Sequence, residues 1–125
     1  MTSVNPHKTS GLRRLVNALS YSLSGLLLAW REEAAFRQEV ILVIVLVPVA
    51  FMVPVDVTQR VLLVASLMLI LVVEMLNSAI EANVDRVSLD IHPLAKRAKD
   101  MGSAAVLLAL TNAILIWAMI LWSLR

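Results

Sequence analysis

The sequence predicts an all-α integral membrane protein, a surface helix followed by three transmembrane helices, and three observations carry that expectation. Of 125 residues, 60% are hydrophobic, and a mean hydropathy of +0.85 lies beyond the range of soluble globular chains. Three segments, residues 34 to 54, 57 to 80 and 101 to 122, match the ~20 helical residues needed to cross ~30 Å of hydrocarbon. Basic residues fall unevenly about these spans. Lys8, Arg13, Arg14, Arg31, Arg37, Arg86, Lys96, Arg97 and Lys99 lie on one side, and Arg60 and Arg125 on the other. Because cytoplasmic flanks are enriched in Lys and Arg, the N terminus and the 86 to 100 region are expected in the cytoplasm, with the C terminus outside. The length bounds the chain at one domain, residues 1 to 125.

Residues 10 to 31 are predicted to form an amphipathic helix rather than a span. Leu12, Leu15, Val16, Leu19, Leu23, Leu26, Leu27 and Trp30 recur at the spacing of one helical face, and Arg13, Arg14, Asn17, Ser20, Tyr21 and Ser24 gather on the other. A basic polar face opposite a Leu/Trp face describes a helix lying in the membrane interface. Arg13, Arg14 and Asn17 also interrupt the first apolar positions, so no signal peptide is expected.

The first span leads into PVDVTQR, residues 54 to 60. Pro54 helps to end it, and Asp56 with Gln59 three residues later reads as a capping box for the next helix. So short a connection makes the two spans antiparallel neighbours. The second helix has no Pro or Gly to stop it before about residue 86. A longer polar loop follows, and Pro93 suits the first turn of a helix over about 93 to 122, where its missing N–H would be unpaired anyway. In that helix Ala98, Gly102, Ala105, Ala109 and Ala113 form ridges of small residues that let membrane helices approach closely.

The chemistry concentrates on the second helix. Glu74, Asn77, Glu81 and Asp85 fall at i, i+3, i+7 and i+11, on one stripe. At 1.5 Å per residue Glu74 lies ~21 Å beyond Arg60, still within hydrocarbon, and Glu81 ~31 Å beyond it, near the headgroups. An acidic residue at a span centre costs roughly 2.5–3.5 kcal/mol on insertion scales, so the stripe must face protein, water or ligand. A homo-oligomer is the expected means of burying it. Within that environment Glu74 is a candidate general base. Glu33, just before the first span, and Glu81 are candidate magnesium ligands, since that ion is commonly held by one or two protein carboxylates and by phosphate oxygens. Lys99 and Arg14 are available for phosphate charge. Glu32, Glu39 and Asp90 read as solvated or salt-bridged interfacial residues, and Trp117 and Trp122 as an outer aromatic belt.

Other chemistries lack support. No cysteine is present, which excludes disulfides and thiolate catalysis. The net charge of +2 comes with no nucleic-acid motif, and neither a phosphate-binding G-x-x-x-x-G-K-[ST] loop nor a protein-kinase signature occurs. Glu74 taken alone would also suit a proton-coupled transport subunit.

The run EMLNSAIEANVD, residues 74 to 85, resembles the signature of the prokaryotic diacylglycerol kinases, of the Gram-negative type rather than the undecaprenol kinases of the same superfamily. The likeness extends through EAAFRQE (33 to 39) and RAKDMGSAA (97 to 105). It implies a homotrimer with composite active sites in the bacterial inner membrane, transferring the ATP γ-phosphoryl group to the primary hydroxyl of diacylglycerol with Mg²⁺. In that likeness Glu74 is the base, Glu33 and Glu81 hold the metal, and Asn77 and Asp85 support them. ATP contacts would fall on Arg14, Tyr21, Glu33, Glu81, Asp90, Ile91, His92, Lys99 and Asp100. Lipid contacts would fall on Arg14, Ala18, Leu19, Ser20, Tyr21, Ser22 and Leu23, on Ala35, Phe36, Arg37, Gln38 and Glu39, and on Glu74, Ser103 and Trp117. The chain departs from the family pattern at Asn17, Leu23, Leu27 and Pro93. Chemically the implication is coherent, because phosphoryl transfer asks mainly for positioning, charge neutralisation and a base near the attacking hydroxyl.

Overall fold

The structure is a computed structural model that describes residues 10–87 and 92–125. Four helices follow one another: α1 (Gly11–Glu32), α2 (Ala34–Met52), α3 (Val57–Val87) and α4 (Pro93–Trp122). The last three are long and apolar enough to cross a membrane. At 31 residues, α3 is ~46 Å long and exceeds the hydrocarbon thickness, so it carries its last turns beyond the span.

Local chemistry explains where the helices begin and end. Ser10 caps α1 by accepting from the Arg13 N–H at 3.4 Å. The turn into α3 is a closed capping box: the Gln59 N–H donates to Asp56 Oδ1 at 2.8 Å, and the Asp56 N–H to Gln59 Oε1 at 3.2 Å. The sequence pattern predicts that pair. α2 ends at Met52, two residues before Pro54, and its last carbonyls are satisfied by Arg60. Arg60 Nε donates to the Ala50 carbonyl at 3.0 Å, and Nη2 to those of Val53 and Val55 at 3.3 Å each. His92 caps α4 through Nδ1, which accepts from the Leu94 N–H at 3.1 Å, with Pro93 inside the first turn.

Packing centres on α3, which meets α4 along most of its length and α2 less extensively. Its buried residues are Leu63, Ser66, Leu67, Ile70, Glu74 and Asn77, a single helical row. Near the hairpin, Leu63 packs with Ala50 and Ile120; towards the middle, Leu67 and Ile70 pack with Ala109 and Ala113. Gly102, Ala109 and Ala113 are the small residues that admit α3. Ala105 differs from the expected ridge: it lies at the edge of that row and is exposed.

Trp117 also departs from expectation. Its indole turns into the α3 interface, where Nε1 donates to Ser66 Oγ at 3.2 Å and to the Leu63 carbonyl at 3.3 Å. A buried indole N–H seeks such partners. Trp122 remains exposed, with the Arg125 guanidinium 3.9 Å from its ring centre. In α1 only Ala29 is buried; Leu12, Leu15, Val16, Leu19 and Leu23 are exposed.

Candidate active site

The acidic stripe of α3 is the continuation of its core-facing row. Leu63, Leu67 and Ile70 lead directly to Glu74 and Asn77, which are 5% and 8% exposed. Burial then falls along the stripe, with Glu81 half-buried and Asp85 exposed. The expected need for an oligomer to bury this stripe does not hold for its first two members. One chain buries Glu74 and Asn77 by itself, because α2 and α4 flank the row from both sides.

Glu39 corrects a second expectation. It is 8% exposed, forms no salt bridge among the described residues, and lies beside Glu74. The cause is its place three residues after the buried Phe36, on the same face of α2. Glu33 and Glu81 are near enough to act on Glu74 through space. Among the described residues, no three His, Cys, Asp or Glu side chains lie close enough together to hold a metal ion.

Asn77 faces α4 at Gly102. A β-carbon at Gly102 would collide with Asn77 Oδ1, so the absence of a side chain there is what leaves the amide its place. Two atoms of this layer, Asn77 Oδ1 and Glu39 Oε2, are buried without a hydrogen-bond partner. Buried polar atoms are ordinarily satisfied, so this pair, next to the buried Glu74, sets the layer apart from the rest of the α3 row.

Towards the end of the bundle away from the hairpin, Lys99 reaches across from α4 to Asp85 of α3 at 2.5 Å, and Lys96 pairs with Asp100 within α4 at 2.5 Å. Asp100 is exposed, and His92 is exposed at the head of α4. Asp90 and Ile91 lie outside the described residues. Arg14 and Tyr21 are exposed on α1, as are Ala18, Leu19, Ser20, Ser22 and Leu23, with Ser22 Oγ donating to the Ala18 carbonyl at 2.9 Å. Ala35, Gln38 and Ser103 are exposed, whereas Phe36 is buried. Gly25 faces Met75, whose Cε would lie 4.0 Å from a β-carbon there, so α1 passes α3 one residue from Glu74.

A family model described as prokaryotic diacylglycerol kinase matches residues 20–121. The chain belongs to the prokaryotic diacylglycerol kinase family. Among curated relatives, the diacylglycerol kinase of Pseudomonas aeruginosa is 58% identical over 120 residues, covering 95% of this chain and 98% of its own. The diacylglycerol kinase of Escherichia coli strain K12 is 51% identical over 117 residues, covering 94% and 96% respectively. That of Helicobacter pylori strain 26695 is 47% identical over 112 residues, covering 90% and 88%.

Sequence reasoning missed the pairing of Glu39 with Glu74 and the structural use of two arginines, Arg60 and Arg37. A signal for Glu39 was present: it stands five residues inside α2, immediately ahead of the apolar run VILVIVLV, and so cannot stay wholly at the headgroups.

Proposed function

We propose that this chain is an ATP-dependent membrane lipid kinase that transfers the γ-phosphoryl group of ATP to the primary hydroxyl of diacylglycerol, giving phosphatidic acid and ADP. Family membership supports the activity, and the observation that carries the assignment of the site is the buried carboxylate Glu74 with orphaned polar atoms on Asn77 and Glu39 beside it. The layer lies ~21 Å along α3 from Arg60, at the depth where a lipid hydroxyl sits beneath its headgroup region.

In this reading Glu74 accepts the proton of the lipid hydroxyl as its oxygen attacks the γ-phosphorus, and the bond to the ADP oxygen breaks. Asn77 and Glu39 orient the hydroxyl and the base. Two half-buried carboxylates, Glu33 and Glu81, fit magnesium by donor chemistry, since that ion takes one or two protein carboxylates and completes its shell with phosphate oxygens and water. They would hold the ion, whose chemistry there is to neutralise charge on the transferring phosphate. Lys99, held by Asp85, and Arg14 contribute fixed positive charge, while Tyr21, Asp90, Ile91, His92 and Asp100 complete the nucleotide contacts implied by the family resemblance. Lipid would run past α1 at Ala18 to Leu23, past Ala35 to Glu39 and Ser103, and towards Trp117.

The same reading places α1 in the membrane interface, its uncovered leucines in lipid and its arginines in headgroups. It sets the N terminus and the site on the cytoplasmic face of the inner membrane, with the C terminus outside. The working unit is a homotrimer with shared sites.

A substrate panel tests the proposal. Purified protein in mixed micelles with Mg-ATP should phosphorylate diacylglycerol in preference to undecaprenol. Undecaprenol phosphate as the dominant product would redirect the assignment, and ion flux in liposomes without ATP turnover would replace it with transport.

A further inference from the structure

The junction of α1 and α2 is a single extended residue, Glu33, at φ −108° and ψ 105°, which closes one helix and opens the next. Its N–H donates to the Ala29 carbonyl at 2.9 Å, and its own carbonyl accepts from the Arg37 N–H at 3.2 Å. Any swing of α1 about this elbow therefore moves the Glu33 carboxylate. Little protein resists such a swing, because Ala29 is the one buried side chain of α1.

Arg37 supplies the restraint. Its Nη1 donates to the Trp30 carbonyl at 2.9 Å and to the Arg31 carbonyl at 3.0 Å. The last carbonyls of a helix have no intrahelical partner, and they form the negative end of its dipole, where a cation is favoured. One guanidinium nitrogen from the first turn of α2 thus ties down the last turn of α1, bracketing Glu33 from both sides.

We propose that Arg37 is a positioning residue for the metal-nucleotide site: by clamping the Trp30 and Arg31 carbonyls it fixes the elbow that aims Glu33 towards Glu74 and Glu81. The inference rests on the lipid-kinase reading for the role of Glu33. It assigns Arg37 a duty separate from contact with lipid, and the two are distinguishable by which substrate responds.

The test uses full-length protein in mixed micelles, wild type beside Arg37→Gln and Arg37→Lys. Hydrogen exchange measured without metal or nucleotide should be faster at the amides of residues 29 to 36 in Arg37→Gln. The half-saturating Mg²⁺ concentration should rise roughly 10-fold, as for lost supporting contacts around metal ligands. Arg37→Lys, which keeps the charge and one donor near the carbonyls, should fall between. Unchanged exchange at the elbow, or a raised diacylglycerol KM with Mg²⁺ dependence intact, would overturn the inference. Failure of wild-type protein to form phosphatidic acid would instead remove the lipid-kinase reading, and this role for Arg37 with it.

Discussion

Two polar layers interrupt the apolar row of α3, and they are built in opposite ways. At Ser66 every group is matched: the hydroxyl donates to the Leu63 carbonyl at 2.8 Å and accepts from Trp117 Nε1. Eight residues along, ~12 Å away, the layer of Glu39, Glu74 and Asn77 buries two carboxyl groups and an amide together and, among the described residues, leaves two of their atoms unpaired. The first layer uses polarity to register α4 on α3. The second spends stability to keep groups ready for something else, the usual trade at a site of chemistry.

Changes to the two layers should therefore separate activity from stability, and the largest effect belongs to the unpaired one. Glu74→Gln should lower kcat by ~10²–10⁴-fold, the usual contribution of a general base, measured as phosphatidic acid formed at saturating Mg-ATP. Gly102→Ala forces a β-carbon against Asn77. It should cost ~1–3 kcal/mol of overpacking, read as earlier unfolding in detergent, and should lower turnover because Asn77 shifts beside the base. In an Asn77→Ala background most of that stability cost should vanish. At the matched layer, Trp117→Phe removes one indole N–H and should cost ~1 kcal/mol, with a loss of turnover far smaller than that of Glu74→Gln, since the indole N–H meets Ser66 and Leu63 and no reacting group. Smallest is Gln59→Ala, which opens half of the capping box at the start of α3. A loss of ~0.5–1 kcal/mol, with unchanged kinetics, is expected.

What could be read from sequence was mostly local. The Asp56/Gln59 box is a three-residue spacing with one geometry, and Pro93 has one natural place in a helix. Glu74 was legible because its alternative, a carboxylate in lipid, is expensive. Helical period put Gly102, Ala109 and Ala113 on the packed face, but it put Ala105 there too, which the structure leaves exposed. Tertiary facts were not legible. Glu39 and Glu74 are 35 positions apart, and nothing in the spacing of either helix says that their faces meet. Trp117 satisfied an aromatic-belt pattern, yet its N–H had a better partner in Ser66 on another helix. Arg37 fitted the charge asymmetry expected of any membrane protein and Arg60 counted only as an exception to it, which concealed that both satisfy the carbonyls at helix ends. The residues most misread were those for which a general rule already offered an adequate reason.

The central claim, that the unpaired layer is kept for chemistry and not for folding, is tested most directly by the unfolding of Glu74→Gln in the same micelles used for turnover. Replacing a buried carboxyl group with a neutral amide of the same shape removes the cost of desolvating a charge. The account expects a protein that assembles normally and unfolds no earlier than wild type while forming essentially no phosphatidic acid. A variant that loses stability in step with activity, or one that keeps its turnover, would contradict it.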